Sequence, residues 1–118
     1  MIETTIQQRQ GQIYRIDKFK VPEPARHEFL QAVQLTHQLL RALQGFIKDF
    51  VFEQSSGVGE FNFVTVVVWE SVDALEAAKP VVKAQHEKMG FNPKEMIDRL
   101  KIEADVANYS QIDFHSPT

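Results

Sequence analysis

The 118-residue sequence contains no cysteine. Disulfide bonds, thiolate metal sites and cysteine nucleophiles are therefore excluded. Its apolar runs fall well short of the roughly 20 residues that a membrane-spanning helix needs. The first residues also lack the basic and apolar blocks of a signal peptide. These absences lead us to expect a cytoplasmic protein with no membrane partner.

Charge is neither abundant nor concentrated in one region. Charged residues make up 25% of the chain, the net charge is −3, and the two signs are interspersed. A nucleic-acid-binding protein would instead show a basic patch, so no nucleic-acid partner is expected. The histidines form no His-x-x-x-His or His-x-Glu pattern, which predicts no metal site. The histidines are His27, His37, His86 and His115.

The segment 61–69 is the most informative part of the chain. It is rich in β-branched and aromatic residues, which suit a strand, and a strand points alternate side chains to opposite faces. One side would carry Phe61, Phe63, Thr65, Val67 and Trp69, and the other Asn62, Val64, Val66 and Val68. Because both sides are largely apolar, both should be buried. The chain's own helices can cover one face, and a second subunit is the simplest cover for the other. We therefore predict a homodimer that assembles through the sheet face.

The remaining periodicity predicts one domain, 1–118, with loose termini at 1–11 and 111–118. Predicted strands cover 13–21, 46–54, 61–69 and 102–110, and predicted helices cover about 24–44, 71–90 and 92–100. Proline at position 80 should kink or split the second helix. Tyr14, Ile16 and Phe19 are the expected packing residues of the first strand. Phe46, Phe50 and Phe52 are expected on one side of the second strand.

The order of these elements, β-α-β-β-α-β with a short extra helix before the last strand, is that of a ferredoxin-like α+β fold. Two split β-α-β units place both long helices on one face of a four-stranded antiparallel sheet. The helix-free face is then the one that requires the partner subunit.

With this order in place, the chain resembles the antibiotic biosynthesis monooxygenase superfamily, whose fold is a dimeric α+β barrel. The resemblance extends over roughly residues 12–110. It is carried by three segments: 19–23, 44–47 and 63–71. Trp69-Glu70-Ser71, followed by Ala74 and Leu75, is the most similar piece. The resemblance implies an oxidoreductase, because members include cofactor-independent monooxygenases of aromatic polyketides, quinol enzymes and haem-degrading monooxygenases.

The haem-degrading branch implies an Asn on the first strand, a Trp in the second helix and a haem-ligating His near the end of that helix. Residues 81–86 resemble the histidine-bearing end, so His86 would match the ligand. The Trp position falls among Ala77 and Ala78, and residues 13–21 contain no Asn. We therefore expect no haem degradation. The polyketide-oxidising branch implies Asn and Trp around the third strand, to which Asn62 and Trp69 correspond in part.

Two histidines are the candidate catalytic residues. His37 lies four residues after Val33 on the inner stripe of the first helix, and His86 lies four residues after Val82 on the second. Two helices on one sheet face would bring both imidazoles to one cavity. A neutral imidazole can take a proton from a phenol or quinol, which produces an anion that reacts with dioxygen. In the alternative interpretation, each is a histidine at the edge of the core that is bonded to backbone or water.

Four other residues are candidates for substrate binding. Trp69 either stacks on an aromatic ligand or packs as a lid. Tyr14 and Tyr109 either donate hydrogen bonds to a ligand or contact the partner subunit. Asn62 either enters the pocket or stabilises the hairpin. The sequence thus predicts a monooxygenase that acts without a cofactor on a small aromatic or quinol-type substrate. The alternative is a non-catalytic dimeric module that binds a small molecule or haem.

Overall fold

The computed structural model describes residues 11–115. The remaining residues, 1–10 and 116–118, belong to the two terminal segments expected to be loose and lie outside the described part. The strands are β1 (Ile13–Lys20), β2 (Phe46–Glu53), β3 (Phe63–Trp69) and β4 (Glu103–Tyr109). The helices are α1 (Arg26–Arg41), α2 (Val72–Lys88) and α3 (Pro93–Arg99), and a 3-10 turn, Glu23–Ala25, precedes α1.

The four strands form one antiparallel sheet in the order β2-β3-β1-β4. This confirms the ferredoxin-like α+β fold, including the short extra helix before the last strand. Two helices begin at side-chain caps: Ser71 Oγ accepts from Ala74 N at 3.1 Å, and Asn92 Oδ1 accepts from Glu95 N at 3.1 Å. Helix α2 is not split, because it runs through Pro80. Among residues 11–115 no helix is both long and apolar enough to cross a membrane.

The third strand presents its two sides to different surroundings. Phe63, Thr65, Val67 and Trp69 are buried beneath the helices. Val64 and Val66 lie on the opposite, helix-free face, where they are partly exposed. The strand itself begins at Phe63, two residues later than predicted.

The register assigns the sides of β1 and corrects the sides predicted for β2. On β1, Phe19 pairs with Phe63 on the helix-covered face, whereas Ile16 pairs with Val66 on the helix-free face. The expected packing residues Tyr14, Ile16 and Phe19 therefore do not share a side. On β2, a β-bulge lies between Phe46 and Lys48. The extra residue shifts the alternation, so Phe46 faces the helices while Phe50 and Phe52 lie on the helix-free face.

Two apolar clusters lie between the helices and the sheet. At one end, the Phe29 ring packs 4.9 Å from the Phe19 ring and 5.2 Å from the Phe63 ring, measured between centroids. At the other end, Trp69 packs against Phe46 with ring centroids 6.0 Å apart. The residues between these clusters on the covered face are polar: Asp17 on β1 pairs directly with Thr65 on β3. The core is thus interrupted at its middle by polar side chains.

Candidate functional site

A two-part cavity occupies the space between the helices and the covered sheet face. The Phe29 compartment has a volume of about 210 Å³ and includes Phe29, Phe91, Met96 and Ile97 in its walls. The Trp69 compartment has a volume of about 320 Å³ and includes Trp69, Leu40, Leu75 and Val82. Four residues line both compartments: Asp17, Thr36, His37 and Thr65. The polar middle of the core is therefore also the junction between the two compartments.

Helix α1 supplies His37, whose side chain is buried, with 6% of the residue exposed. Its Nδ1 lies 2.8 Å from Asp49 Oδ2 on β2. Because a carboxylate can only accept, Nδ1 must carry the hydrogen. Within residues 11–115, every fully buried side-chain nitrogen and oxygen has a hydrogen-bond partner, and no such partner is found for His37 Nε2. This second ring nitrogen is therefore accessible and free to bond to a ligand.

Helix α2 supplies His86, which lines the Phe29 compartment. Its Nε2 lies 3.0 Å from the Thr36 hydroxyl on α1, and its ring packs edge-on against Phe91 with centroids 5.0 Å apart. Burial lowers the pKa of His86, because an apolar environment disfavours the charged imidazolium. His86 is thus a neutral hydrogen-bonding group at neutral pH, and the structure brings it to the same cavity as His37.

Asp17 places a carboxyl group in the wall of both compartments. It accepts a hydrogen bond of 2.8 Å from Arg15 Nε, two residues earlier on the same side of β1. Burial raises the pKa of the Asp17 carboxyl above its usual range, and the hydrogen bond and charge of Arg15 offset this only in part. The site therefore holds a carboxyl group whose ionisation is unfavourable in the folded protein.

The other predicted site residues occupy different places. Trp69 lines the Trp69 compartment, where only 1% of the residue is exposed. Asn62 lies outside the residues that line either compartment. Its amide accepts from Val21 N at 2.8 Å and donates to Val21 O at 2.9 Å, which joins the end of β1 to the start of β3. Tyr14 and Tyr109 pair with each other on the helix-free face, and the sheet separates them from the histidines.

Sequence reasoning missed Asp17, Asp49, Thr36 and Thr65. The sequence did indicate Asp17. Arg15, Asp17 and Phe19 lie on one side of β1, so two charged residues share that side with a packed aromatic residue. Asp49 had none, because the bulge in β2 determines which face it occupies. No cluster of three or more potential metal ligands occurs between residues 11 and 115.

The arrangement has the parts required for proton transfer within an apolar cavity. His37 offers one free ring nitrogen, and Asp49 can compensate the charge that the ring gains with a proton. Thr36, Thr65 and Asp17 offer further hydrogen bonds at the same junction. Aromatic and aliphatic walls on both sides suit a flat apolar ligand that carries a hydroxyl group.

Comparisons with known proteins place this geometry in a wider context. The family model described as antibiotic biosynthesis monooxygenase matches residues 12–80. Among curated proteins, no sequence matches. SnoaB, a cofactor-independent oxygenase from Streptomyces nogalater, aligns with a TM-score of 0.63 and 14% identity over 91% of this chain and 99% of its own. The haem-degrader MhuD from Mycobacterium tuberculosis, solved with two haems in its active site, aligns with a TM-score of 0.64 and 20% identity over 88% and 99%.

Proposed function

Because the chain belongs to the antibiotic biosynthesis monooxygenase family, we propose that it is a cofactor-independent monooxygenase of a small aromatic or quinol-type substrate. The observation that carries the proposal is His37: Asp49 fixes one ring nitrogen at 2.8 Å, and the other has no hydrogen-bond partner among residues 11–115. That free nitrogen belongs to a residue that lines both compartments of an otherwise apolar cavity.

The first step is removal of a proton. His37 Nε2 accepts the proton of a phenolic hydroxyl, and the positive charge of the resulting imidazolium is compensated by the Asp49 carboxylate. A positioned general base of this kind contributes roughly 10²- to 10⁴-fold to a rate. His86 and Thr65 are available to hydrogen-bond the phenolate oxygen, which needs donors as its charge develops.

The second step is oxidation by dioxygen. The phenolate supplies the four electrons that reduce O₂. One oxygen atom ends in a new carbonyl group of the product and the other in water, so a phenol yields a quinone. Two hydrogen atoms leave the substrate in that water, which balances the reaction. The apolar walls keep bulk water away from the phenolate and its reactive intermediate.

Oxygen uptake tests the proposal. The purified protein is mixed with a panel of phenols and quinols while dissolved oxygen and quinone absorbance are followed. We expect His37→Gln to lower the rate by about 10²-fold or more. His27→Gln is the matched control, because His27 is exposed on the same helix and lines neither compartment. A panel that binds to the protein without any oxygen uptake would contradict the enzymatic proposal.

The alternative, a non-catalytic binding module, is favoured by one observation. Three polar side chains of the cavity already have a partner within the protein: Asp17 bonds to Arg15, His37 to Asp49, and His86 to Thr36. A module of this kind would bind a small aromatic molecule or haem and release it unchanged. Spectral binding of haem without release of a breakdown product in the presence of a reductant would support it.

The residues present do not fit haem degradation. Residues 13–21 contain no Asn, and Ala77 and Ala78 stand where the resemblance implies a Trp. His86 Nε2 lies 3.0 Å from the Thr36 hydroxyl, so binding of haem iron to this nitrogen would have to break that hydrogen bond. We therefore propose that haem is not a substrate of this chain.

The proposed assembly is a homodimer through the helix-free sheet face. Phe50 and Phe52 on that face are 41% and 53% exposed, and their rings stack with centroids 5.7 Å apart. They continue into Val64, Val66 and Ile16 across the neighbouring strands. Charged side chains on the same face are Lys18 beside Val64, Lys48 over the Phe50 ring, and Lys20, which pairs with Glu103 at 3.5 Å. Exposed aromatic side chains interspersed with a few charged ones are typical of protein interfaces, and we expect more than about 1,000 Å² to be buried in total.

A further inference from the structure

The two histidines of the cavity have hydrogen-bond partners of different chemistry. His37 Nδ1 lies 2.8 Å from the carboxylate of Asp49, and His86 Nε2 lies 3.0 Å from the hydroxyl of Thr36. A carboxylate accepts only, so it selects the tautomer with hydrogen on the nitrogen that it contacts. A hydroxyl can donate or accept, so Thr36 selects neither tautomer of His86.

The Asp49 carboxylate is itself fixed in place. Arg41, the last residue of α1, donates from Nη2 to Asp49 Oδ2 at 2.9 Å and from Nε to the same oxygen at 3.2 Å. Burial opposes ionisation of Asp49, but hydrogen bonds from Arg41 and then His37 outweigh it and hold the pKa of the carboxyl below its usual range. Asp49 is therefore an ionised acceptor at neutral pH, with 12% of its side chain exposed.

Asp49 does not belong to either compartment of the cavity. The walls include His37, Asp17 and Thr65 but neither Asp49 nor Arg41. A ligand in the cavity would thus contact His37 and not the groups behind it. Any effect of Asp49 on the chemistry must pass through the orientation and charge of the His37 ring.

We propose that Asp49 is a positioning residue that fixes His37 in the tautomer with hydrogen on Nδ1, and that Arg41 holds Asp49 in that role. Nε2 is then the nitrogen presented to the cavity, which makes His37 the proton acceptor. His86 is the neutral hydrogen-bonding partner. The assignment of proton transfer rests on the proposed function, whereas the tautomer does not, because it follows from the hydrogen bond alone.

Nuclear magnetic resonance of the imidazole nitrogens tests the tautomer directly. Long-range ¹H–¹⁵N spectra distinguish a protonated from an unprotonated ring nitrogen, and assignment uses His37→Gln. At an alkaline pH where the rings are neutral, we expect wild-type His37 to show hydrogen on Nδ1 only. In Asp49→Asn and Asp49→Ala we expect a mixture of tautomers or hydrogen on Nε2. A wild-type ring with hydrogen on Nε2 would overturn the proposal, even if neither variant folds.

The chain offers a matched control on the same two elements. Glu53 lies on the same side of β2 and pairs with Arg26 of α1 at 2.7 Å, so this ion pair also connects α1 to β2, but without a histidine. Glu53→Gln therefore removes a similar ion pair and should leave the His37 tautomer unchanged. A tautomer that responds equally to Glu53→Gln and Asp49→Asn would show that loosening the helix, and not the loss of the acceptor, is responsible.

Kinetics separate this proposal from the proposed function. With a phenol or quinol that the wild type oxidises, we expect Asp49→Asn to lower kcat by roughly 10²- to 10⁴-fold with little change in KM. Asp49→Glu should restore part of the rate. If the tautomer depends on Asp49 but no substrate is oxidised, positioning stands and the monooxygenase proposal fails. If oxidation proceeds and the Asp49 variants keep both the rate and the tautomer, positioning fails.

Discussion

The two faces of the sheet reverse the usual relation between polarity and exposure. On the covered face, Thr65 is buried and Asp17 is partly buried, with His37 and His86 above them. On the helix-free face, Phe50 and Phe52 are exposed beside Val66. Buried polar groups and exposed apolar groups each reduce the stability of an isolated chain. We therefore propose different explanations for the two faces: the first would serve a ligand, and the second a partner subunit.

The comparison is sharpest for adjacent residues on one strand. Val66 and Val67 are neighbours on β3, but Val66 is partly exposed on the helix-free face and Val67 is buried beneath Leu75 and Ala78. The same substitution at the two positions should thus have two different outcomes. Exposed Val81 on α2 provides a third position for the same change.

The largest effect is expected for Val67→Asp. It would bury an unpaired carboxylate beside Trp69 and Leu75, which should cost more than about 4 kcal/mol of unfolding free energy. Because a domain of this size has a stability of about 5–15 kcal/mol in total, we expect a large fall in the melting temperature by circular dichroism. A Val67→Asp protein that melts within a few degrees of the wild type would contradict the placement of this residue in the core.

A smaller and different effect is expected for Val66→Asp. The chain should fold, because the helix-covered core is unchanged, but a carboxylate in the middle of the proposed interface should weaken dimerisation by about 100-fold or more. Light scattering at micromolar concentration should give a monomer mass for Val66→Asp and a dimer mass for the wild type. Val81→Asp should remain dimeric. A wild-type protein that is already monomeric would refute the proposed homodimer.

Most of the fold was predictable from the sequence because alternation and helical period are local properties. The 61–69 segment indicated two apolar faces, and β3 presents one to the helices and the other away from them. The errors arose where one residue changes the register. The bulge between Phe46 and Lys48 moves Phe46 away from the face that holds Phe50 and Phe52, and nothing in the local sequence indicates it.

Less of the candidate site was predictable. His37 and His86 each lie four residues after a valine, and the helical period therefore predicted that both side chains face one cavity. Both line the Phe29 compartment. Their hydrogen-bond partners did not follow, because Asp49 and Thr36 reach the histidines from other elements. Tyr14 and Tyr109 were chosen by residue type, and the register places both on the opposite face of the sheet.

The smallest effect is expected for Asp17→Asn, which removes a partly buried carboxyl group. Burial raises the pKa of Asp17 in the folded state, so its ionised form destabilises the fold at pH values above that raised pKa. The destabilisation disappears as the pH falls through the folded pKa and then below the unfolded value, where the group is neutral in both states. Asp17→Asn should therefore raise the melting temperature at pH 7.5, by about 2–4 °C. This difference should shrink as the pH is lowered.

The same variant should bind phenols more weakly, because Asp17 lines both compartments. Scanning calorimetry at a series of pH values checks the first effect, and ligand titration checks the second. A variant that is less stable than the wild type at pH 7.5 would mean that the ion pair with Arg15 outweighs the cost of burial. Asp17 would then be a structural residue of the covered face and not a sign of its function.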